Sequence, residues 1–195
     1  MPGKSALRRG LFVMALICLA ASPGFAQTTA SRYVLNKDHS RIAFSIGHFV
    51  VSSTEGRFTQ FDGKLEFPPQ TPERGTVTIH VSTGSIDTGI GARDDHLRTA
   101  DFFDAAKFPL ATFETTGLTR TSNTGGTLTG QFSLHGVTRP LTMAVTLRTP
   151  DLTAARLEFS ATGTLKRSDF GMTQYQGVIG DEVRLTIDAE FDKQG

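Results

Sequence analysis

Histidines, an Asp-His-Ser triplet and two arginine-bearing segments offer most of the chemistry in this sequence. The five histidines are His39, His48, His80, His96 and His135. None stands at the HExxH or HxH spacing that gathers ligands around zinc, so a metal centre has little support. Asp38-His39-Ser40 has the residue types of a hydrolase triad. Consecutive residues of an extended segment point in different directions, however, and no GxSxG occurs, so they are a poor fit to nucleophile, base and orienter. Gly84, Gly89 and Gly91 lack the spacing of a phosphate-binding loop. His80 falls on the polar face of its segment, and His135 sits in a turn before Gly136. His48 is in phase with Ile42, Phe44 and Ile46, which turns it inward. Arg93 and His96 stand three apart in a helix-compatible stretch and can share a face, where they fit an anionic or polar headgroup. Arg167 and Asp169 flank Ser168 just before Phe170-Gly171, placed to pair with each other or to close a mouth.

The elements that must carry these residues are strands. Leu185, Ile187, Ala189 and Phe191 alternate with Arg184, Thr186, Asp188 and Glu190, the period of a half-buried strand. The same alternation runs through 41–48, 77–82, 128–134, 141–147 and 156–163, and less cleanly through 58–67 and 110–118. Turn signals separate the runs at Asp62-Gly63, Pro68-Pro69, 123–126, His135-Gly136 and 149–151. About eight strands at regular spacing predict one all-β domain, a barrel or sandwich. The exception is 91–107, where Ala92, Leu97, Ala100, Ala105 and Ala106 suit a short helix, or two, across the barrel. Asp94 and Arg98 there are an acid-before-base pair four apart, and Phe108-Pro109 ends the pattern.

Eight strands can close around a packed core or around one small ligand. Periodicity alone leaves both open. Small inward residues (Gly130, Ala161, Gly163 and Ala189) favour space along the axis, and such a tunnel would take a long apolar chain.

Composition narrows the classes. The chain has 195 residues, with 20 Lys+Arg against 19 Asp+Glu and 38% hydrophobic residues. That suffices for one core and argues against a dedicated nucleic-acid binder. A lone Cys excludes a disulfide scaffold. Lys4, Arg8 and Arg9 precede the apolar run Leu11–Ala21, which ends in Gly24-Phe25-Ala26. This order predicts a secretory signal peptide over 1–26, cut after Ala26. The run is shorter than the roughly 20 apolar residues of a membrane span. Residues 27–195 then form the mature domain, which has no thiol.

A family resemblance rests on motifs in their order. They are Asp38-His39-Ser40, Phe44, His48, Gly56-Arg57-Phe58, Ser85-Ile86-Asp87-Thr88, Arg93-Asp94-Asp95-His96-Leu97-Arg98 and Asp101-Phe102-Phe103-Asp104. After Pro109 and Phe113 come Leu134-His135-Gly136-Val137-Thr138-Arg139, Arg167-Ser168-Asp169-Phe170-Gly171 and Gly180-Asp181-Glu182-Val183. In this spacing, from about Tyr33 to Phe191, the chain resembles the YceI-like family. The resemblance implies an extended, eight-stranded antiparallel lipocalin-like barrel, exported to the periplasm and often dimeric. Such a barrel holds a polyisoprenoid, an isoprenoid quinone or a fatty-acid derivative, with no family-wide catalysis and no cofactor. On that reading Phe44, Ile46, Phe58, Phe113, Phe132, Leu134, Val145 and Phe159 line the tail site. His48, Arg93, His96 and Arg167 are the headgroup candidates. Two alternatives stand beside it: a small hydrolase or isomerase using His48 or His96 as base, and a stress-related interaction protein whose barrel is full.

Overall fold

The computed structural model describes residues 30–48, 52–149 and 151–195. The expected signal peptide lies outside them. The strands are β1 (Ser31–Leu35), β2 (Arg41–His48), β3 (Ser53–Phe58), β4 (Phe61–Phe67), β5 (Thr76–Ser82), β6 (Ile86–Asp87), β7 (Leu110–Arg120), β8 (Gly125–Leu134), β9 (Val137–Leu147), β10 (Arg156–Lys166) and β11 (Ile179–Lys193). One α-helix, α1, spans Gly91–Arg98.

The eleven segments form eight rows. β1 and β2 both lie against β11, and the pairs β1–β4 and β2–β3 run down their other side. β4 pairs with β5 and β3 with β6, so β1/β2, β3/β4 and β5/β6 are three long strands, each broken once. All pairings between named strands are antiparallel, and β1–β11 closes the ring, giving the expected eight-stranded barrel. The first break explains the Asp38-His39-Ser40 triplet. Asn36 caps a 3-10 turn by accepting from the Asp38 N–H at 3.2 Å. Ser40 Oγ then accepts from the Glu190 N–H at 2.9 Å, replacing a ladder bond across the gap. His39 Nδ1 lies 2.9 Å from Glu190 Oε1. The triplet mends a strand break, and no nucleophile meets a base there.

One end of the barrel is stopped. Tyr33, Leu35, Leu65, Phe67, Leu157 and Phe191 form a cluster in which Leu157 is 0% exposed. The Tyr33 ring stacks on Phe67 at 5.6 Å, and its hydroxyl donates to the carbonyls of Leu152 and Ala154. Burial, with the nearby Asp151 charge, pushes this phenol above its usual range, so it stays a neutral donor.

The opposite end is covered by α1 and the turns after it. The helix is shorter than 91–107 predicts. Thr99 is already extended and Asp104 has φ +43°, so 99–108 folds as successive turns. The expected Asp94–Arg98 pair does not form. Asp94 is buried and accepts from Thr88, while Arg98 pairs with Asp95 at 2.8 Å and donates to the carbonyls of Gly84 and Ile86. His135-Gly136 makes the β8–β9 turn with φ +53° and +76°, the positive-φ pair of a two-residue hairpin. His135 Nδ1 lies 3.1 Å from the Phe170 carbonyl oxygen, which makes this histidine structural.

Candidate functional site

Between the stopper and α1 lies a cavity of about 420 Å³, within the size range of small-molecule sites. Ile42, Phe44 and Ile46 of β2, Phe58 of β3, Ile79 and Val81 of β5, and Ala111 and Phe113 of β7 form one side. Phe132 and Leu134 of β8, Leu141 and Met143 of β9, Leu165 of β10, and Val183, Leu185 and Ile187 of β11 form the other. α1 contributes Arg93, His96 and Leu97, and the turns after it Phe102 and Phe103. Phe44, Ile46, Phe132, Leu165, Leu185 and Ile187 all point inward yet are only half-buried, because they face this space and not one another.

The structure brings together Phe44, Ile46, Phe58, Phe113, Phe132 and Leu134 from the expected tail site, and Arg93, His96 and Arg167 from the headgroup set. It sets Val145 and Phe159 apart. Val145 packs on the cluster of Phe113, Leu128, Leu141 and Met143, and Phe159 packs on the stopper with its ring edge to Phe191. Both point inward, but neither lines the cavity. The side chain of His48, at the end of β2, lies outside what is described. Missed by the sequence reading were Met143, Leu165 and the β11 residues, in phase with named neighbours. Phe102, Phe103, Met172 and Tyr175 were missed too, on segments without periodicity.

The small inward residues act differently from expectation. A Cβ at Gly130 would collide with the Phe113 ring, and one at Gly163 would come within 2.8 Å of Met143 Cγ. A Cβ at Gly56 would collide with the Phe44 ring. These glycines do not open the axis themselves. They let large side chains lie flat on the wall, which keeps the centre clear.

The mouth is aromatic. Phe102 and Tyr175 stack at 5.8 Å, and His96 sits edge-on to both at 5.1 and 5.8 Å. His96 Nε2 lies 3.1 Å from Asp101 Oδ2. Tyr175 is 48% exposed and has φ +56°, a backbone state that costs a non-glycine residue energy and is held by its surroundings.

Arg167 is 3% exposed. Its Nε donates to the Gly180 carbonyl, Nη1 to those of Met172 and Gln174, and Nη2 to that of Ile179. One guanidinium thus ties down the segment 172–180. It does not pair with Asp169. Ser168 donates through N–H and Oγ to Asp181 at 2.9 and 2.8 Å. Burial opposes the Asp181 charge. The two Ser168 hydrogen bonds and the Arg167 and Lys166 charges outweigh it, so this carboxyl is held below the usual range. Asp87, Asp151 and Asp192 are lowered too, chiefly by hydrogen bonds from the Gly89 N–H, from Thr153 and from Arg156 respectively. A carboxyl lowered in the folded state contributes stability that is present above its unfolded value and lost as pH falls through the lowered one. Thermal melts should therefore decline only below the ordinary carboxylate range. Asp181→Asn should melt lower at neutral pH and decline less steeply in acid. An unchanged acid slope would remove Asp181 from this account.

β9 and β10 pair only from Met143–Gly163 to Leu147–Phe159. Beyond Met143 they part, where Pro140 brings no N–H. A second recess of about 360 Å³ opens there, lined by Arg139 and Lys166 and by Asp169 and Glu182. Its mixed charge contrasts with the apolar cavity. Among the described residues, no group of three or more His, Cys, Asp or Glu is placed to hold a metal ion. No helix among them is long and apolar enough to cross a membrane.

Comparison with known proteins adds a family. The YceI-like domain matches residues 33–191. A UPF0312 protein of Azotobacter vinelandii is 36% identical over 186 residues, covering 92% of this chain and 96% of that relative. The crystal structure of Burkholderia cenocepacia BcnA superposes with a TM-score of 0.74 at 22% identity, over 80% of this chain and 98% of that one. A polyisoprenoid binding domain from Saccharophagus degradans, implicated in plant cell wall breakdown, superposes with a TM-score of 0.65 at 17% identity, over 83% and 98%. These last two likenesses show the shared barrel fold.

Proposed function

The chain belongs to the YceI-like family, and we propose that it is a binding or carrier protein that holds one long-chain amphiphile of the polyisoprenoid or related lipid type in its barrel. The reading includes export to the periplasm, which the basic and apolar N-terminal segment supports, and binding without catalysis. The observation that carries it is the cavity: inward Phe, Ile and Leu side chains, several of them left half-buried, around a partly open apolar space, in a molecule whose other end packs shut. Each buried methylene contributes about 0.8 kcal/mol. A chain of about ten carbons therefore gathers about 8 kcal/mol, the scale of micromolar binding before ordering costs. The likeness in fold to a polyisoprenoid binding domain points the same way. The ring of His96 meets Asp101 at Nε2 and two aromatic rings on its flanks, and among the described residues no Ser, Thr or Cys side chain is hydrogen-bonded to that ring, so no nucleophile stands beside it.

The test is native mass spectrometry of the mature protein purified from its own periplasm, with extraction of what it carries. A stoichiometric long-chain adduct is expected, and the same spectrum reads monomer against dimer. A clean apo mass, together with no uptake of added isoprenoid alcohols or fatty acids, would overturn the carrier reading and favour the interaction protein.

A further inference from the structure

The wall of the barrel is incomplete on one side. β9 and β10 are laddered from Leu147–Phe159 to Met143–Gly163, and the ladder stops there. Beyond it, 137–142 of β9 pair with β8 alone, and Thr164, Leu165 and Lys166 of β10 pair with β11 alone. The split has a frame. Its sill is the Met143–Gly163 pair. Its far end is crossed by the 3-10 turn Arg167–Phe170, whose Phe170 carbonyl oxygen lies 3.1 Å from His135 Nδ1 of the β8–β9 hairpin. The recess outside it is lined in part by charged and hydroxyl side chains, so water there can serve the backbone groups that the missing ladder leaves over. Behind the recess stands the apolar cavity. Leu141 and Leu165 line both spaces, so at this point the wall is one side chain thick. They are also the residues that would face each other if the register of Met143–Gly163 ran on by two steps. Leu141 is buried, and Leu165 packs half-buried against its cluster.

We infer that this split is a side entrance: the apolar chain enters and leaves the cavity between β9 and β10, with Leu141 and Leu165 as the gate. The inference rests on the binding reading above and adds the route the chain takes. Passage at the covered end means lifting α1, which Arg98 ties to the carbonyls of Gly84 and Ile86. Hydrogen bonds to a charged group are worth about 1.5–3 kcal/mol each. Moving Leu141 and Leu165 aside breaks no hydrogen bond. It asks for rotation between staggered side-chain rotamers, and the arriving apolar chain replaces the contacts that the leucines give up.

Residues 27–195 contain no cysteine, so engineered thiols in the mature protein can be paired cleanly. Thr142→Cys/Thr164→Cys ties the two strands one step past the last ladder pair, at positions that are both exposed. Dibromobimane bridges the thiols where no disulfide forms. Ala144→Cys/Thr162→Cys is the control, a pair of the same facing inside the ladder. Stopped-flow fluorescence of cis-parinaric acid reads entry, and its displacement by geranylgeraniol reads exit. The cross-link between positions 142 and 164 should slow both rates about tenfold or more and leave the affinity within about twofold, because a barrier raised on the route rises equally in both directions. Reducing the disulfide should restore the rates. The control cross-link should exchange like the wild type, and Leu165→Ala should speed both entry and exit. Melting temperatures check that each variant is folded. Unchanged rates with positions 142 and 164 tied, or equal slowing by the control, would overturn the side entrance while leaving the carrier reading intact. No uptake of either probe by the wild type would instead sink the carrier reading.

Discussion

Phe132→Asp abolishes uptake of a long apolar chain while leaving a folded barrel. Phe132 faces the cavity from β8, is half-buried and meets Phe170 edge-on at 5.5 Å. In the empty protein, a carboxylate there stands in a space that water can enter, so the fold loses mainly the ring's contacts. When a chain enters, it strips that water. Desolvating an unpaired carboxylate costs several kcal/mol, and every 1.4 kcal/mol is tenfold in affinity. The expected loss is about a hundredfold or more. Phe159→Ala provides the contrast, because its ring belongs to the stopper. It should lower stability by about 3 kcal/mol and retain binding. Fluorescent-lipid titration together with thermal melts separates the two. Unchanged uptake by folded Phe132→Asp would count against the cavity as the binding site. Ala111→Phe repeats the test without a charge, since Ala111 is buried and lines the same wall. Added bulk there should cut uptake in proportion to the volume it fills.

The contrast between Phe132 and Phe159 shows what the sequence could reveal. Period-two alternation tells which face a side chain takes, and it is right for both. It does not tell height along the barrel axis. That coordinate comes from the register: Phe159 stands opposite Leu147 and Ala189, two steps from the stopper residue Leu157. Phe132 stands opposite Phe113 and Arg139, beside the cavity. The eight rows were legible because their apolar residues alternate. Their breaks were not, because Ser40 and Glu190 repair a gap through a contact 150 residues apart in sequence. The glycines misled for a related reason. A missing side chain reads as space in one strand, but Phe113 of the neighbouring strand occupies the place over Gly130. The mouth was the least legible part. Phe102 and Tyr175 sit in turns, and only the packing of α1 against the segment 172–178 brings their rings together.

That segment depends on Arg167, and its replacement is the largest stability loss expected in the molecule. Arg167→Met leaves the carbonyls of Met172, Gln174, Ile179 and Gly180 without their shared donor. A buried acceptor left unsatisfied costs about 1–3 kcal/mol. Water reaches part of this exposed segment, so the sum is about 3–5 kcal/mol, or a fall of about 10 °C or more for a domain of this size. Arg167→Lys should rescue little, because one ammonium cannot span four carbonyls in the directions a planar fork serves. The effect extends to binding. Tyr175, with its positive φ, lies in the segment between the pinned carbonyls of Gln174 and Ile179, so the aromatic mouth should loosen along with the clamp. Melting curves of the Met and Lys variants, read beside lipid affinity, test both links. A Lys variant as stable as the wild type would show that charge alone suffices. A Met variant that melts with the wild type would remove the clamp. The Arg167-Ser168-Asp169-Phe170-Gly171 and Gly180-Asp181 motifs then share one role. Arg167 holds the Gly180 carbonyl and Ser168 holds the Asp181 carboxylate, so the two segments fasten to each other and set the wall through which Met172, Tyr175 and Ile179 reach the cavity.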